Sequence, residues 1–180
     1  MRRFSVAASL LLLAAAICAS QAPVDNSGQT ADSAKDFVQR FYDWYVPQAR
    51  KTQAEPAWGA ALKYKRDAFS SALFQALKED SEAQAKVSDD IVGLDFDPFL
   101  NTQDPCDRYE VGAVNPQERG YRVDIYGVCS GKRKARPDVV AQLARQGDSW
   151  AFTNFLYPSI HTDLLATLRT LREERQKPSR

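Results

Sequence analysis

The stretch "DVVAQLARQGDSWAFTNFLY", residues 138–157, decides the fold. Two runs that alternate apolar and polar side chains flank Gly147-Asp148, a dipeptide suited to a two-residue hairpin turn. Pairing Gln146 with Ser149 sets Leu143 against Phe152 and Val139 against Leu156, so the apolar faces of both runs coincide. The spacing predicts an antiparallel hairpin with one buried face.

Upstream, "RYEVGAV" and "YRVDIYGVC" flank "NPQERG" within residues 108–129 and predict a second hairpin. Closing it at Val114 and Tyr121 puts Cys106 opposite Cys129, but turns Arg108 and Glu110 toward the apolar side. A shift of one residue brings Tyr109 and Val111 to that side and offsets the cysteines. A β-bulge between the cysteines and the hairpin tip reconciles the two demands, and the sequence predicts one. "IVGLDF", residues 91–96, is a further strand candidate.

Helical spacing brackets these strands. Ser33-x-x-Asp36 reads as a capping pattern ahead of the stripe Phe37, Val38, Phe41, Trp44 and Tyr45, with Pro47 as the stop. A short helix is expected around Trp58 and Leu62, and Ser70 or Ser71 caps another that carries Leu73, Phe74 and Leu77. "KEDSEAQAKVSDD", residues 78–90, reads as a solvated connection. After Pro158 a last helix runs through residues 159–176, with Asp163 in its first turn and Leu164, Leu165, Leu168 and Leu171 as its apolar stripe. Helices, then antiparallel strands, then a closing helix make an α+β domain.

The chain begins with Arg2 and Arg3 ahead of an apolar run from Val6 to Ile17. That run is shorter than the roughly 20 residues a membrane-spanning helix needs. Residues 1–20 therefore read as a signal peptide cut near Ala19 or Ser20, which predicts a periplasmic or secreted protein. Cys18 would carry an acyl anchor in a lipoprotein leader, but Ile17 stands where such leaders need a small residue. Residues 21–32 read as a polar linker, 33–172 as one domain and 173–180 as a charged tail.

Without Arg2 and Arg3 the chain keeps 22 basic against 23 acidic residues, a net charge of −1. This near-neutral balance argues against a nucleic-acid partner. Cys106 and Cys129 remain, and an exporting leader places them where thiols pair, so a disulfide between them is expected. Its closed loop is worth roughly 3 kcal/mol in the chain-entropy model.

The corner "DFDPFLNTQDPCD", residues 95–107, is dense in oxygen ligands. Asp95, Asp97, Asn101, Asp104 and Asp107 are its weak metal candidates. An EF-hand is excluded, because Leu100 stands at loop position six and Cys106 at position twelve. Pro98 and Pro105 interrupt pairing, and Asp and Asn side chains bond nearby amides, so the stretch reads better as a structural corner. His161 is the only histidine, and no triad or free thiol nucleophile accompanies it. Asp124, between Val123 and Ile125, faces away from the apolar side and is a poor buried base. The basic loop "GKRKARP", with Lys132, Arg133, Lys134 and Arg136, reads as solvated. These residues define no catalytic set, no cofactor and no oligomeric state.

Three motifs, "FVQRFYDWYV", "DFDPFLNTQDP" and "GDSWAFTNFLYP", resemble a family of exported bacterial proteins without an assigned activity. The middle motif is the specific one. The resemblance extends to the nuclear-transport-factor-two-like superfamily. It implies a curved antiparallel sheet wrapped by helices around a cone-shaped (cystatin-like) pocket, across roughly residues 35–170. Fold alone assigns no activity. The expected function is a non-catalytic accessory domain that binds a small molecule or a periplasmic protein through its cone. A pocket enzyme of the isomerase or dehydratase type and an inhibitor or immunity-type interaction module are the rivals.

Overall fold

The computed structural model describes residues 27–51, 56–87 and 90–177. The leader, Cys18 and the start of the linker lie outside the described residues. Helices come first: α1 (Ser27–Ala49), α2 (Ala57–Tyr64), a short 3-10 turn (Arg66–Ala68) and α3 (Ser71–Gln84). Strands β1 (Arg108–Gln117), β2 (Gly120–Cys129), β3 (Lys132–Arg133), β4 (Val139–Gln146), β5 (Ser149–Tyr157) and β6 (Thr162–Asp163) follow, and α4 (Leu164–Arg175) closes the chain. The sheet is open, curved and antiparallel, in the order β1-β2-β4-β5-β6 with β3 beside β2.

The hairpin from which the fold was read forms with Gln146 opposite Ser149 and Leu143 opposite Phe152. Its register then slips, so Leu156 pairs with Val140 rather than with Val139. Thr153 is the extra residue, and its hydroxyl donates to the Gln142 carbonyl at 3.2 Å. The slip changes the parity of β5, so that Trp150 and Phe152 before it and Phe155 and Tyr157 after it are all buried.

The other hairpin carries the expected bulge, between Val111 and Val114. Near the cysteines Arg108 pairs with Val128, which leaves the two cysteines offset by one residue. Cys106 and Cys129 are nevertheless bonded, with Cα atoms 4.6 Å apart. The strands run further than predicted, to Gln117 and Gly120. Gly120 has φ +130°, and a Cβ there would lie 1.9 Å from the Leu143 carbonyl oxygen, so only glycine fits. Pro116 is accommodated because β1 is an edge strand. Gln39 of α1 covers part of that edge, donating to the Tyr109 carbonyl at 3.1 Å and accepting from the Val111 amide at 3.0 Å.

Several helix limits differ from the spacing. α1 begins within the predicted linker, and Ser33 lies inside it, where its hydroxyl accepts from the Trp150 indole at 2.8 Å. Pro47 sits in the last turn of α1 instead of ending it, so the helix continues to Ala49. Ser70 caps α3 by accepting from the Leu73 amide at 3.3 Å. α3 continues through Lys78–Gln84, which the sequence assigned to a solvated connection. α4 starts only at Leu164, where Asp163 is its N-cap and accepts from the Ala166 amide at 3.0 Å. It reaches into the predicted tail as far as Arg175.

Phe41 stands at the centre of the core, within 6 Å of the rings of Tyr42, Tyr45, Phe69, Phe99 and Phe152. Phe155 packs on Phe99 and Phe152. These rings pack together between the helices and the sheet.

Candidate functional site

The corner at residues 95–107 is built around Asp97. Its amide donates to the Thr102 carbonyl at 3.0 Å, and its own carbonyl accepts from the Asn101 amide at 2.8 Å. Its Oδ1 accepts from the amides of Phe99 and Leu100 at 2.9 and 3.1 Å, and its Oδ2 accepts from the Tyr45 hydroxyl at 2.5 Å. Pro98 then directs Phe99 and Leu100 into the core, where both are fully buried. Two more tyrosines hold the turn: Tyr157 donates to the Pro98 carbonyl at 2.9 Å and Tyr42 to the Phe99 carbonyl at 2.7 Å. Burial pushes all three tyrosine hydroxyls well above their ordinary range. Burial likewise raises the Asp97 carboxyl to about 6, against the opposing pull of its bonds to Tyr45, Phe99 and Leu100.

The remaining metal candidates point elsewhere. Asn101 donates to the Asp138 carbonyl and to the Ser159 hydroxyl. Asp104 bonds Thr102 through its backbone alone. Asp107 pairs with Arg50 at 3.1 Å and accepts from the Ser130 amide. Asp95 is exposed, and only its carbonyl is engaged, by Gln103. Among the described residues no three His, Cys, Asp or Glu side chains gather where they could hold a metal. Of the corner's carboxylates, that of Asp97 is the one bonded to the corner's own backbone.

Beside this corner lies an open cleft of about 420 Å³. Its walls are the end of α1, the start of α2 with Trp58, and the segment carrying Ile91, Leu94, Asp95, Phe96 and Asp97. That volume falls within the range of small-ligand sites, toward its lower end. Residues 91–96, predicted as a strand, form none. Side chains of α3 and α4 take the backbone groups a ladder would have used. Gln84 accepts from the amides of Val92 and Gly93 at 2.9 and 3.0 Å and donates to the Asp90 carbonyl at 3.0 Å. Asp80, 1% exposed, accepts from the Leu94 amide at 2.9 Å and pairs with Arg175 at 2.7 Å. Arg175 also donates to the Val92 carbonyl at 2.7 Å. A Cβ on Gly93 would meet Asp80 Oδ2 at 2.8 Å, so the strap lies against α3 more closely than a side chain permits.

Sequence reasoning passed over Asp80, Gln84 and Arg175. A signal existed for the first two: Leu73, Leu77, Asp80 and Gln84 fall on one helical stripe, so two polar residues occupy an apolar face. Arg175, 95 residues from Asp80, gave no such sign.

Other sequence candidates are placed plainly. Asp124 lies on the sheet face turned away from the helices, in a second open cleft of about 600 Å³ with Asn115, Arg122 and His161. His161 is exposed, has φ +53° and leads into β6, so it does not cap α4. In the basic loop, Arg133 stacks over the Tyr126 ring at 3.7 Å and Lys134 pairs with Asp138 at 2.6 Å. Half of that cluster is thus engaged within the domain. No helix among the described residues is long and apolar enough to cross a membrane. No family model, curated protein or solved structure matches this chain.

Proposed function

We propose that this chain is an exported, non-catalytic accessory domain that holds a small molecule in the cleft between α1, α2 and the residue 91–105 segment. The observation that carries this reading is the pre-organisation of the cleft. Its apolar wall hangs from Gln84, Asp80 and Arg175, and its floor from Asp97 and three tyrosines. Such fixed walls lower the ordering cost of binding. The binding expected of a cone is assigned to this cleft, whose lining joins apolar residues with two carboxylates. The apolar leader and the Cys106–Cys129 bond support a periplasmic or secreted location. The resemblance to exported bacterial proteins agrees with that address.

Mature protein purified from periplasm and examined by native mass spectrometry tests the proposal. A co-purifying small molecule, lost when Ala57→Trp fills the cleft mouth, is the expected result. A bare wild-type protein whose Trp58 indole resonance does not move in a screen of small fragments would refute it.

Asp97 favours a second reading, a pocket enzyme of the isomerase or dehydratase type. It is a carboxyl raised to about 6 that lines a cleft, as a proton-transfer group would be. Three donors already occupy its oxygens, and a base needs a free lone pair aimed at substrate. We therefore assign Asp97 to the corner and not to chemistry.

A further inference from the structure

We infer that the molecule taken by this cleft is a small organic monocation: an amine, guanidine or quaternary ammonium group on a compact apolar body. The inference rests on the cleft being a ligand site, as proposed above, and adds its chemical class. Among the described residues lining the cleft, the only charged side chains are the carboxylates of Asp95 and Asp97. No lysine or arginine is among those described residues.

The neighbouring cations are committed to other partners. Arg50 pairs with Asp107, Lys51 donates to Gln48, and Lys65 lies over the Trp44 ring at 4.9 Å. Arg175, behind the wall, is held by Asp80 and the Val92 carbonyl. The charged side chains that face the cleft among the described residues are therefore both anionic.

The two carboxylates differ in what they can offer. Those of Asp97 are spent on Tyr45, Phe99 and Leu100. The Asp95 carboxylate is exposed at the rim and makes no bond or ion pair within the described chain, so it is the group available to a cation. Trp58, Leu94, Phe96 and Ile91 supply apolar and aromatic surface beside it, and aromatic rings attract cations as well as apolar bodies. Ile91 is 68% exposed and stands at the opening, where a ligand body would cover it. An anion would meet two like charges, whereas a neutral molecule would gain only the apolar contact.

Three probes of one shape separate these cases: 2-phenylethylamine, 2-phenylethanol and phenylacetate. Each is titrated at pH 7.5 into the full mature, disulfide-bonded protein, with the Trp58 indole N–H followed by NMR and Trp44 and Trp150 as references. The expected result is binding of the ammonium probe about tenfold tighter than the alcohol, with phenylacetate weakest, as one partly solvated ion pair provides. Asp95→Asn should bring the ammonium probe to the affinity of the alcohol without moving the melting temperature. Equal affinities for all three probes, or preference for the anion, would overturn the cation assignment and leave the cleft as a site. If no probe shifts Trp58, and Ala57→Trp behaves like the wild type, the cleft reading itself fails.

Discussion

Two carboxylates of this domain are drawn out of solvent, Asp80 fully and Asp97 in part at the cleft, and they are held by opposite means. Asp80, on α3, meets a full positive charge from Arg175 and one amide from Leu94. Asp97, in the corner, meets no cation; its oxygens are satisfied by a tyrosine hydroxyl and two amides. The first arrangement ties together α3, α4 and the strap at residues 90–94, elements far apart in the chain. The second closes a local turn and fixes it to α1. A charge matched by a charge serves long-range assembly. Burial with no cation beside it raises the Asp97 carboxyl to about 6, against the lowering pull of its hydrogen bonds.

The contrast can be broken most severely at Arg175. Arg175→Met leaves Asp80 buried and uncompensated, which costs about 3–5 kcal/mol for broken pairs of this kind. Urea denaturation should show the loss, and adding Asp80→Asn should recover part of it. If Arg175→Met changes the midpoint no more than a surface substitution does, the clamp is not holding the strap.

Asp97→Ala comes next. It strands the Tyr45 hydroxyl and the amides of Phe99 and Leu100, and each unsatisfied buried group costs about 1–3 kcal/mol, partly relieved by water from the cleft. A loss of about 2–4 kcal/mol in the same denaturation assay is expected, with Asp97→Asn much milder because its amide oxygen still accepts from the turn.

The smallest effect sharpens the comparison through pH. The folded Asp97 carboxyl titrates near 6 and its unfolded form near 3.8. The folded state therefore binds a proton that the unfolded state has lost, throughout that interval. Stability from the neutral carboxyl is complete below the unfolded value and disappears as pH rises through about 6. The wild type should lose about 2 kcal/mol relative to Asp97→Asn between pH 4 and pH 7, after discounting for solvent at the cleft. Thermal melts of both proteins across that range measure the difference, which also removes the contribution of the other carboxylates. Parallel pH profiles would show that Asp97 is not held by dipoles alone.

The same two sites show what could be read before the fold was known. The DPFL turn is local: Asp97, Pro98, Phe99 and Leu100 carry in one short stretch the acceptor, the stop and the two core anchors. Its reading as a structural corner agrees with these bonds. The strap at residues 91–96 misled, because its apolar alternation is that of a strand while its hydrogen-bond partners are side chains of Gln84, Asp80 and Arg175. Alternation reports which side chains face inward, not what the backbone bonds to.

From the sequence alone came the α+β class, the turn at Gly147-Asp148, the need for a bulge between the cysteines and the tip of the β1–β2 hairpin, a cap at Ser70 or Ser71 and the pairing of Cys106 with Cys129. Each follows from neighbours a few residues apart, or from the few cysteines present. Only the tertiary structure decided the bulge at Thr153 that turns Phe155 and Tyr157 inward, the packing of rings from the corner onto the sheet, and the Asp80–Arg175 clamp behind the cleft. These depend on volumes and charges that meet across long stretches of chain, and periodicity along the chain carries no record of which distant side chain will arrive.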